Sequence, residues 1–278
     1  MSRPEPDRYA VFGNPIDHSR SPAIHAAFAD LTGQHITYEK LLAPRDSFAA
    51  AVAQFIASGG RGANVTVPFK LEAHALAQTL TPRAAAAGAV NTLCFGADGT
   101  ISGDNTDGVG LVRDLRVNAG VAIGGRRILL LGAGGAARGV LLPLLAERPA
   151  QLVVANRSAA KATELVAAFQ QYRGNTELVA SNLGDLTAGF DVVINATSAS
   201  LDGSVPAVSA AIFAPGALAY DMMYAATPTA FLALAQGHGA TVRDGLGMLV
   251  EQAAEAFFVW RGVRPPTATV LADLRASL

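Results

Sequence analysis

The sequence predicts an α/β protein in two parts, a doubly wound nucleotide-binding domain and a preceding α/β domain with a mainly parallel sheet. Three observations carry this. A short apolar run, Ile128-Leu129-Leu130-Leu131, ends in Gly132-Ala133-Gly134-Gly135-Ala136-Ala137-Arg138-Gly139 and leads into an alanine- and leucine-rich stretch of helical composition. From Arg126 onward, apolar strand-like runs and helical segments alternate regularly, as in a Rossmann-like domain. Residues 1 to about 106 carry a strand–helix alternation of their own.

Bulk properties bound the function. The chain has 278 residues, of which 51% are hydrophobic and 15% charged, enough to bury a sizeable core. A net charge of -1 gives no basic surface for nucleic acid or anionic membrane. The single cysteine, Cys94, excludes an internal disulfide and reads as a small apolar side chain. Met1 to Arg8 is polar, without a signal-peptide core, and no apolar run is long enough to span a bilayer. A cytoplasmic protein with a small-molecule substrate, acting as a monomer or homodimer, is expected.

In the first part, Tyr9-Ala10-Val11-Phe12 reads as a strand broken by Gly13-Asn14-Pro15. Ser21 reads as an N-cap with Pro22 at the first position of a helix over 23–31. That leaves Ser19 without a structural task and so free for a polar ligand. His18 and His25 read as solvated or locally bonded. Thr37 to Leu42 reads as a second strand, and Ser47 to Ala57 as a helix closed by Ser58-Gly59-Gly60. In Asn64-Val65-Thr66-Val67-Pro68, alternation puts Asn64 and Thr66 on one face of a strand that Pro68 stops. Lys70, just beyond, is a candidate for proton transfer. Arg83 to Ala87 is a short helix, and a hairpin turns at Asp98-Gly99. Asn105 or Thr106 caps a helix running towards Leu115, with Asp107 in its first turn.

In the second part, Gly132 permits a tight turn, Gly134 lets backbone approach a pyrophosphate, and the following helix N-terminus presents N–H groups to it. Leu152 to Ala155 is the next strand, and at its end stand Asn156-Arg157-Ser158 and Lys161 rather than a carboxylate. Cations and a hydroxyl suit a ribose 2′-phosphate, so NADP(H) is expected over NAD(H). Strands over 191–198, 218–224 and 241–243, a helix from Thr229 to Gln236, a long helix over 248–260 and a last helix over 267–278 complete the reading.

Together these motifs resemble the shikimate dehydrogenase family. They are Gly13-Asn14-Pro15-Ile16 with Ser19 and Ser21, Asn64 to Lys70, Gly88-Ala89-Val90-Asn91-Thr92, Asn105-Thr106-Asp107-Gly108, the glycine turn, Asn156-Arg157-Ser158, Asn195-Ala196-Thr197-Ser198, Tyr220-Asp221-Met222 and Asp244-Gly245-Leu246-Gly247-Met248. The resemblance implies NADP(H)-dependent, reversible reduction of 3-dehydroshikimate to shikimate. It implies Lys70 and Asp107 as the catalytic pair, and Ser19, Ser21, Asn64, Thr66, Asn91, Tyr224 and Gln252 as substrate-binding. For the cofactor it implies Gly132, Ala133, Gly134, Gly135, Ala136, Asn156, Arg157, Ser158, Lys161, Met222 and Gly245. It assigns residues 1–106 and 244–278 to a substrate-binding domain and 107–243 to an NADP-binding domain. No metal is needed. The alternatives are a broader quinate/shikimate dehydrogenase and a non-catalytic nucleotide sensor, which need not keep Lys70 and Asp107.

Overall fold

The computed structural model describes residues 5–187, 189–197, 199 and 203–278. Ser198 of the Asn195-Ala196-Thr197-Ser198 motif lies outside them. The chain forms two compact units. One comprises the described residues up to Asp107 together with Val250–Leu274, and the other Gly108–Leu249 with the last four residues. Asp107 therefore belongs to the first unit, one residue past the expected boundary. The return falls inside a helix at Leu249/Val250, rather than after Arg243.

The first unit runs β1 Asp7–Gly13, α1 Ser21–Thr32, β2 Ile36–Leu42, α2 Phe48–Ala57, β3 Gly60–Val65, α3 Lys70–Leu76, β4 Thr79–Leu80, α4 Pro82–Ala87, β5 Thr92–Phe95 and β6 Ile101–Asp104. The strands make one sheet in the order β2-β1-β3-β5-β6-β4. Pairs β1–β2, β1–β3 and β4–β6 are parallel, while β3–β5 and the hairpin β5–β6 are antiparallel. An aromatic cluster fills one part of the core: Phe12 meets Phe48 edge-on at 5.9 Å and Phe48 stacks on Phe69 at 4.8 Å.

Helix α5, Asp107–Arg113, and a π-helical turn, Asp114–Asn118, lead into the second unit. There follow β7 Arg127–Leu131, α6 Gly135–Ala146, β8 Gln151–Asn156, α7 Ala159–Phe169, β9 Glu177–Asn182, β10 Phe190–Asn195, β11 Phe213–Asp221, α8 Ala230–Gly237 and β12 Thr241–Arg243. All five strand pairs are parallel, and the order β12-β11-β10-β7-β8-β9 reverses direction at β7, as a doubly wound sheet does. Buried Leu129, Leu131, Val153, Ala155 and Val193 explain why these strands read as continuous apolar runs. Helices α9 Leu246–Arg261 and α10 Ala268–Ala276 close the chain. In the first unit, α9 anchors on the sheet through Trp260, whose indole N–H donates to Leu93 O at 3.0 Å. A Cβ on Gly62 would lie 2.6 Å from that indole nitrogen, so only glycine admits the tryptophan. No helix among the described residues is long and apolar enough to cross a membrane.

Four local expectations need correction. Helix α1 starts at Ser21, with Arg20 at the N-cap and no side-chain cap. Ser19 does the local work instead, its hydroxyl accepting the Ser21 N–H at 3.3 Å. Strand β3 ends at Val65, because beyond it the Thr66 N–H turns to Phe12 O at 2.9 Å. Thr66 is thus the first residue of the exit rather than a strand residue facing the same way as Asn64. His25 is neither solvated nor locally bonded: it is fully buried and stacks on Tyr38 at 4.2 Å. Strand β9 and the two-residue β4 have no counterpart in the sequence reading.

Candidate active site

In the first unit, three chain segments bring the polar candidates together. Strand β3 ends beside β5, and the loop after β6 lies against the start of β5: the Asn91 N–H donates to Asp104 O at 3.0 Å. Lys70 opens α3 and Asp107 opens α5. A carboxylate suits a helix N-terminus and an ammonium does not, so Lys70 gains most from a partner. It has one: its Nζ donates to Asp107 Oδ2 at 2.6 Å. Both side chains are only partly exposed, Lys70 by 31% and Asp107 by 13%, so the pair meets solvent without being dissolved in it.

Asn91 is the hub behind this pair. Its Nδ2 lies 2.8 Å from Asp107 Oδ1, 3.0 Å from Thr106 Oγ1 and 3.3 Å from Gln252 Oε1. Its Oδ1 accepts the Thr106 N–H at 2.9 Å and the Thr92 hydroxyl at 2.9 Å. Asn64 continues the network, donating to Asn91 O and Thr92 Oγ1 at 3.1 Å each. Its Oδ1 accepts the Tyr38 hydroxyl at 2.8 Å. Burial pushes the Tyr38 phenol well above its ordinary range, with the Ser21 hydroxyl opposing, so it stays a neutral donor. Asn105 caps α5, its Oδ1 accepting the Asp107 N–H at 3.2 Å. Lys70, Asn64, Asn91, Asp107 and Gln252 are therefore brought together, with Ser21 tied in through Tyr38. Thr66 lies nearby on the β3 exit, where its methyl would meet a Cβ on Gly13 at 2.7 Å. Cys94, pushed up to about 11 mainly by burial, is no thiolate at neutral pH.

In the second unit the glycine turn has the shape its residues imply. Gly132 has φ +110, and a Cβ there would lie 3.1 Å from Ala196 O. Ala137 is fully buried against the sheet. Gly134 and Gly135 are different: both are exposed, neither has a positive φ, and an added Cβ would meet nothing within 4 Å. The fold gives no reason for glycine there, whereas a phosphate approaching the backbone does. No side chain caps α6, so its first N–H groups remain available to such an anion. At the end of β8, Arg157, Ser158 and Lys161 are exposed at the start of α7, and neither cation is paired with a carboxylate among the described residues. The Ser158 hydroxyl makes no cap bond, and Asn156 is turned to Ser158 O at 3.0 Å. Two cations at a helix N-terminus are unfavourable unless an anion joins them.

The structure also brings Met222 and Gly245 together. A Cβ on Gly245 would lie 2.2 Å from Met222 O, and the Gly245 N–H donates to Met223 O at 2.9 Å. The buried Asp221 shapes this turn by accepting the Met223 N–H at 3.0 Å and the Thr229 hydroxyl at 2.6 Å. Tyr224 follows, half-buried. Among the described residues no cluster could hold a metal ion. The sequence reading missed Tyr38, and it saw Thr92 and Asp221 only as motif residues and Thr106 only as a cap. A tyrosine among the residues of β2, itself the sheet edge, was the available signal for Tyr38.

Comparisons with known proteins agree with this geometry. Residues 11–93 match the family model described as shikimate dehydrogenase substrate binding domain. Residues 117–202 match shikimate / quinate 5-dehydrogenase, and 245–275 the shikimate 5'-dehydrogenase C-terminal domain. The chain is 62% identical over 273 residues to shikimate dehydrogenase (NADP(+)) of Herminiimonas arsenicoxydans, covering 98% of each. It is similar to a crystal structure of an Ael1 enzyme from Pseudomonas putida, with TM-score 0.90, 47% identity, and 96% and 98% of the two chains covered. It is also similar to shikimate 5-dehydrogenase of Thermus thermophilus in complex with NADP(H) and shikimate, with TM-score 0.86, 31% identity, and 98% and 100% covered. The chain belongs to the shikimate dehydrogenase family.

Proposed function

We propose that this chain catalyses the reversible NADPH-dependent reduction of 3-dehydroshikimate to shikimate, with Lys70 and Asp107 handling the proton. The observation that carries the reading is the 2.6 Å Lys70–Asp107 pair, braced by Asn91, in a chain of this family. When bound, NADPH supplies the hydride. Reduction of a ring ketone leaves charge on its oxygen, and the Lys70 ammonium can stabilise that charge and donate a proton to it. Asp107 orients the ammonium and can accept a hydrogen bond from a ring hydroxyl. The reverse reaction uses the same pair with Lys70 as base.

The first unit is the substrate-binding domain in this reading. Hydroxyls of Ser19, Ser21 and Thr66 suit the carboxylate, and the amides of Asn64, Asn91 and Gln252 suit ring hydroxyls. The second unit is the NADP-binding domain. The turn over 132–136 would take the pyrophosphate, Asn156, Arg157, Ser158 and Lys161 the 2′-phosphate, and Met222 with Gly245 the nicotinamide end. The deciding assay is initial rates with shikimate and quinate, each with NADP and NAD. Shikimate with NADP is expected to be the preferred combination, and a preference for quinate with NAD would overturn the reading.

The same assay tests the 2′-phosphate site. Arg157→Ala is expected to raise KM for NADP by about tenfold or more, since a charge-assisted hydrogen bond to phosphate contributes about 1.5–3 kcal/mol. KM for NAD should stay within about twofold, because NAD has no group for Arg157 to meet. Equal effects on both cofactors would sink the assignment.

A further inference from the structure

We infer that Arg83 is the positioning residue of the active site, holding the Asp107 loop and the Gln252 helix from a single guanidinium. The inference deepens the proposed reading of Lys70 and Asp107 and rests on it. Arg83 is the second residue of α4, where the helix dipole disfavours a cation. Its position there is set by what it binds. Its Nε donates to Asp104 Oδ1 and its Nη2 to Asp104 Oδ2, both at 2.6 Å, in a bidentate fork. The Asp104 carboxylate also accepts the Thr81 hydroxyl at 2.6 Å and the Asn105 N–H at 2.7 Å. Asn105 passes the constraint forward by accepting the Asp107 N–H, and fixes itself by donating to Ala89 O at 3.0 Å. Two side-chain links thus separate Arg83 from the backbone of Asp107.

The same Nη2 also reaches α9, lying 3.0 Å from Glu255 Oε1. Glu255 stands three residues after Gln252, hence on the same helix face. Gln252 meets Asn91, which holds the Asp107 carboxylate, and Thr106, which Asn91 holds in turn. Arg264 forms the other ion pair of Glu255, so two carboxylates and two guanidiniums make a neutral cluster. Asp104 and Glu255 are buried to 4% and 7% exposure, which makes the pairing geometry matter. Burial works against the ionised Asp104, but Arg83 and Thr81 outweigh it and hold the carboxyl below its usual range.

A lysine at position 83 would keep the charge but reach only one carboxylate at a time. That makes Arg83→Lys the deciding variant, with Arg83→Met as the full deletion. Shikimate oxidation by the full chain should be measured with NADP across pH, alongside the melting temperature. Arg83→Lys is expected to lower kcat about three- to tenfold and Arg83→Met about tenfold to a hundredfold, the cost of an ångström-scale misplacement. KM for shikimate should rise in both, while KM for NADP stays within about twofold, because the network lies wholly in the first unit. The pH midpoint of kcat should move with the geometry of the Lys70–Asp107 pair. A folded Arg83→Lys with the kcat and pH profile of the unmodified protein overturns the inference, whatever its melting temperature. An unmodified protein that does not oxidise shikimate with NADP overturns the functional reading and the inference with it.

Discussion

Replacing Lys70 by alanine is expected to lower kcat for shikimate oxidation by about a hundredfold or more while leaving shikimate binding largely intact, because general acid–base groups contribute about 10²–10⁴ in rate. A hundredfold is about 2.7 kcal/mol of transition-state stabilisation. The geometry makes this attributable to the ammonium rather than to collapse of the site. Asp107 keeps its Asn91 and Asn105 partners when Lys70 is removed, since those bonds use its Oδ1 and its backbone N–H. The network over Asn64, Thr92 and Asn91 does not touch Lys70 at all. Shikimate should therefore still perturb the intrinsic fluorescence or melting temperature of Lys70→Ala with a Kd within several-fold of the unmodified protein. Turnover near the unmodified rate would remove Lys70 from the mechanism. A parallel loss of binding would mean that it holds substrate rather than a proton. Asp107→Asn separates the two duties further: with its oxygen towards Lys70 it keeps the shape and that contact, but it loses the charge that orients the ammonium and also the Asn91 bond, since its NH2 then faces Asn91 Nδ2.

How much of this was legible in the sequence depends on how far apart the partners lie. The parallel sheet was readable because its strands are buried on both faces, so Leu129, Leu131, Val153 and Val193 leave an unbroken apolar signal. Strand β9 was not, because it lies at the sheet edge, where half-exposed Ala180, Ser181 and Asn182 blur that signal. Lys70 and Asp107 were readable because each stands at a strand-to-helix junction, where polar side chains gather. Their bracing was not: Arg83 finds Asp104 across 21 residues, and Asn91 finds Gln252 across 161. Nothing in local spacing encodes such pairs. The exchange of roles between Ser19 and Ser21 has a smaller cause. Either serine can serve the helix start, and a one-residue shift of the first turn decides which.

The protein is expected to lose stability steeply below about pH 6.5, and His25→Phe is expected to remove most of that loss. His25 is fully buried among Phe28, Tyr38, Phe257 and Trp260, with Tyr38 stacked 4.2 Å away at 7°. Neither ring nitrogen has a hydrogen-bond partner among the described residues. Burial holds the imidazole down at about 3, with the Asn64 side chain opposing the shift. The unfolded chain binds the same proton near pH 6.5. Above that pH the ring is neutral in both states and contributes no pH dependence. Between 6.5 and 3 the unfolded state takes up the proton and the native state does not, so stability falls with falling pH by at most about 1.4 kcal/mol per unit. Phenylalanine keeps the stacked ring and removes the titration, together with two buried polar atoms that cost about 1–3 kcal/mol when unpaired. Urea midpoints from pH 8 to 4 should decline below pH 6.5 in the unmodified protein. In His25→Phe they should stay level until carboxyls held down in the native state, such as that of Asp104, begin to titrate in the unfolded chain at about pH 4. Parallel curves for the two proteins would show that another group carries the acid transition. The cage also bears on the site, because the hydroxyl of the stacked Tyr38 holds Asn64 and Asn64 holds Asn91. Because the native ring stays neutral down to about pH 3, kcat of the folded protein should not follow the urea midpoint as it declines below pH 6.5.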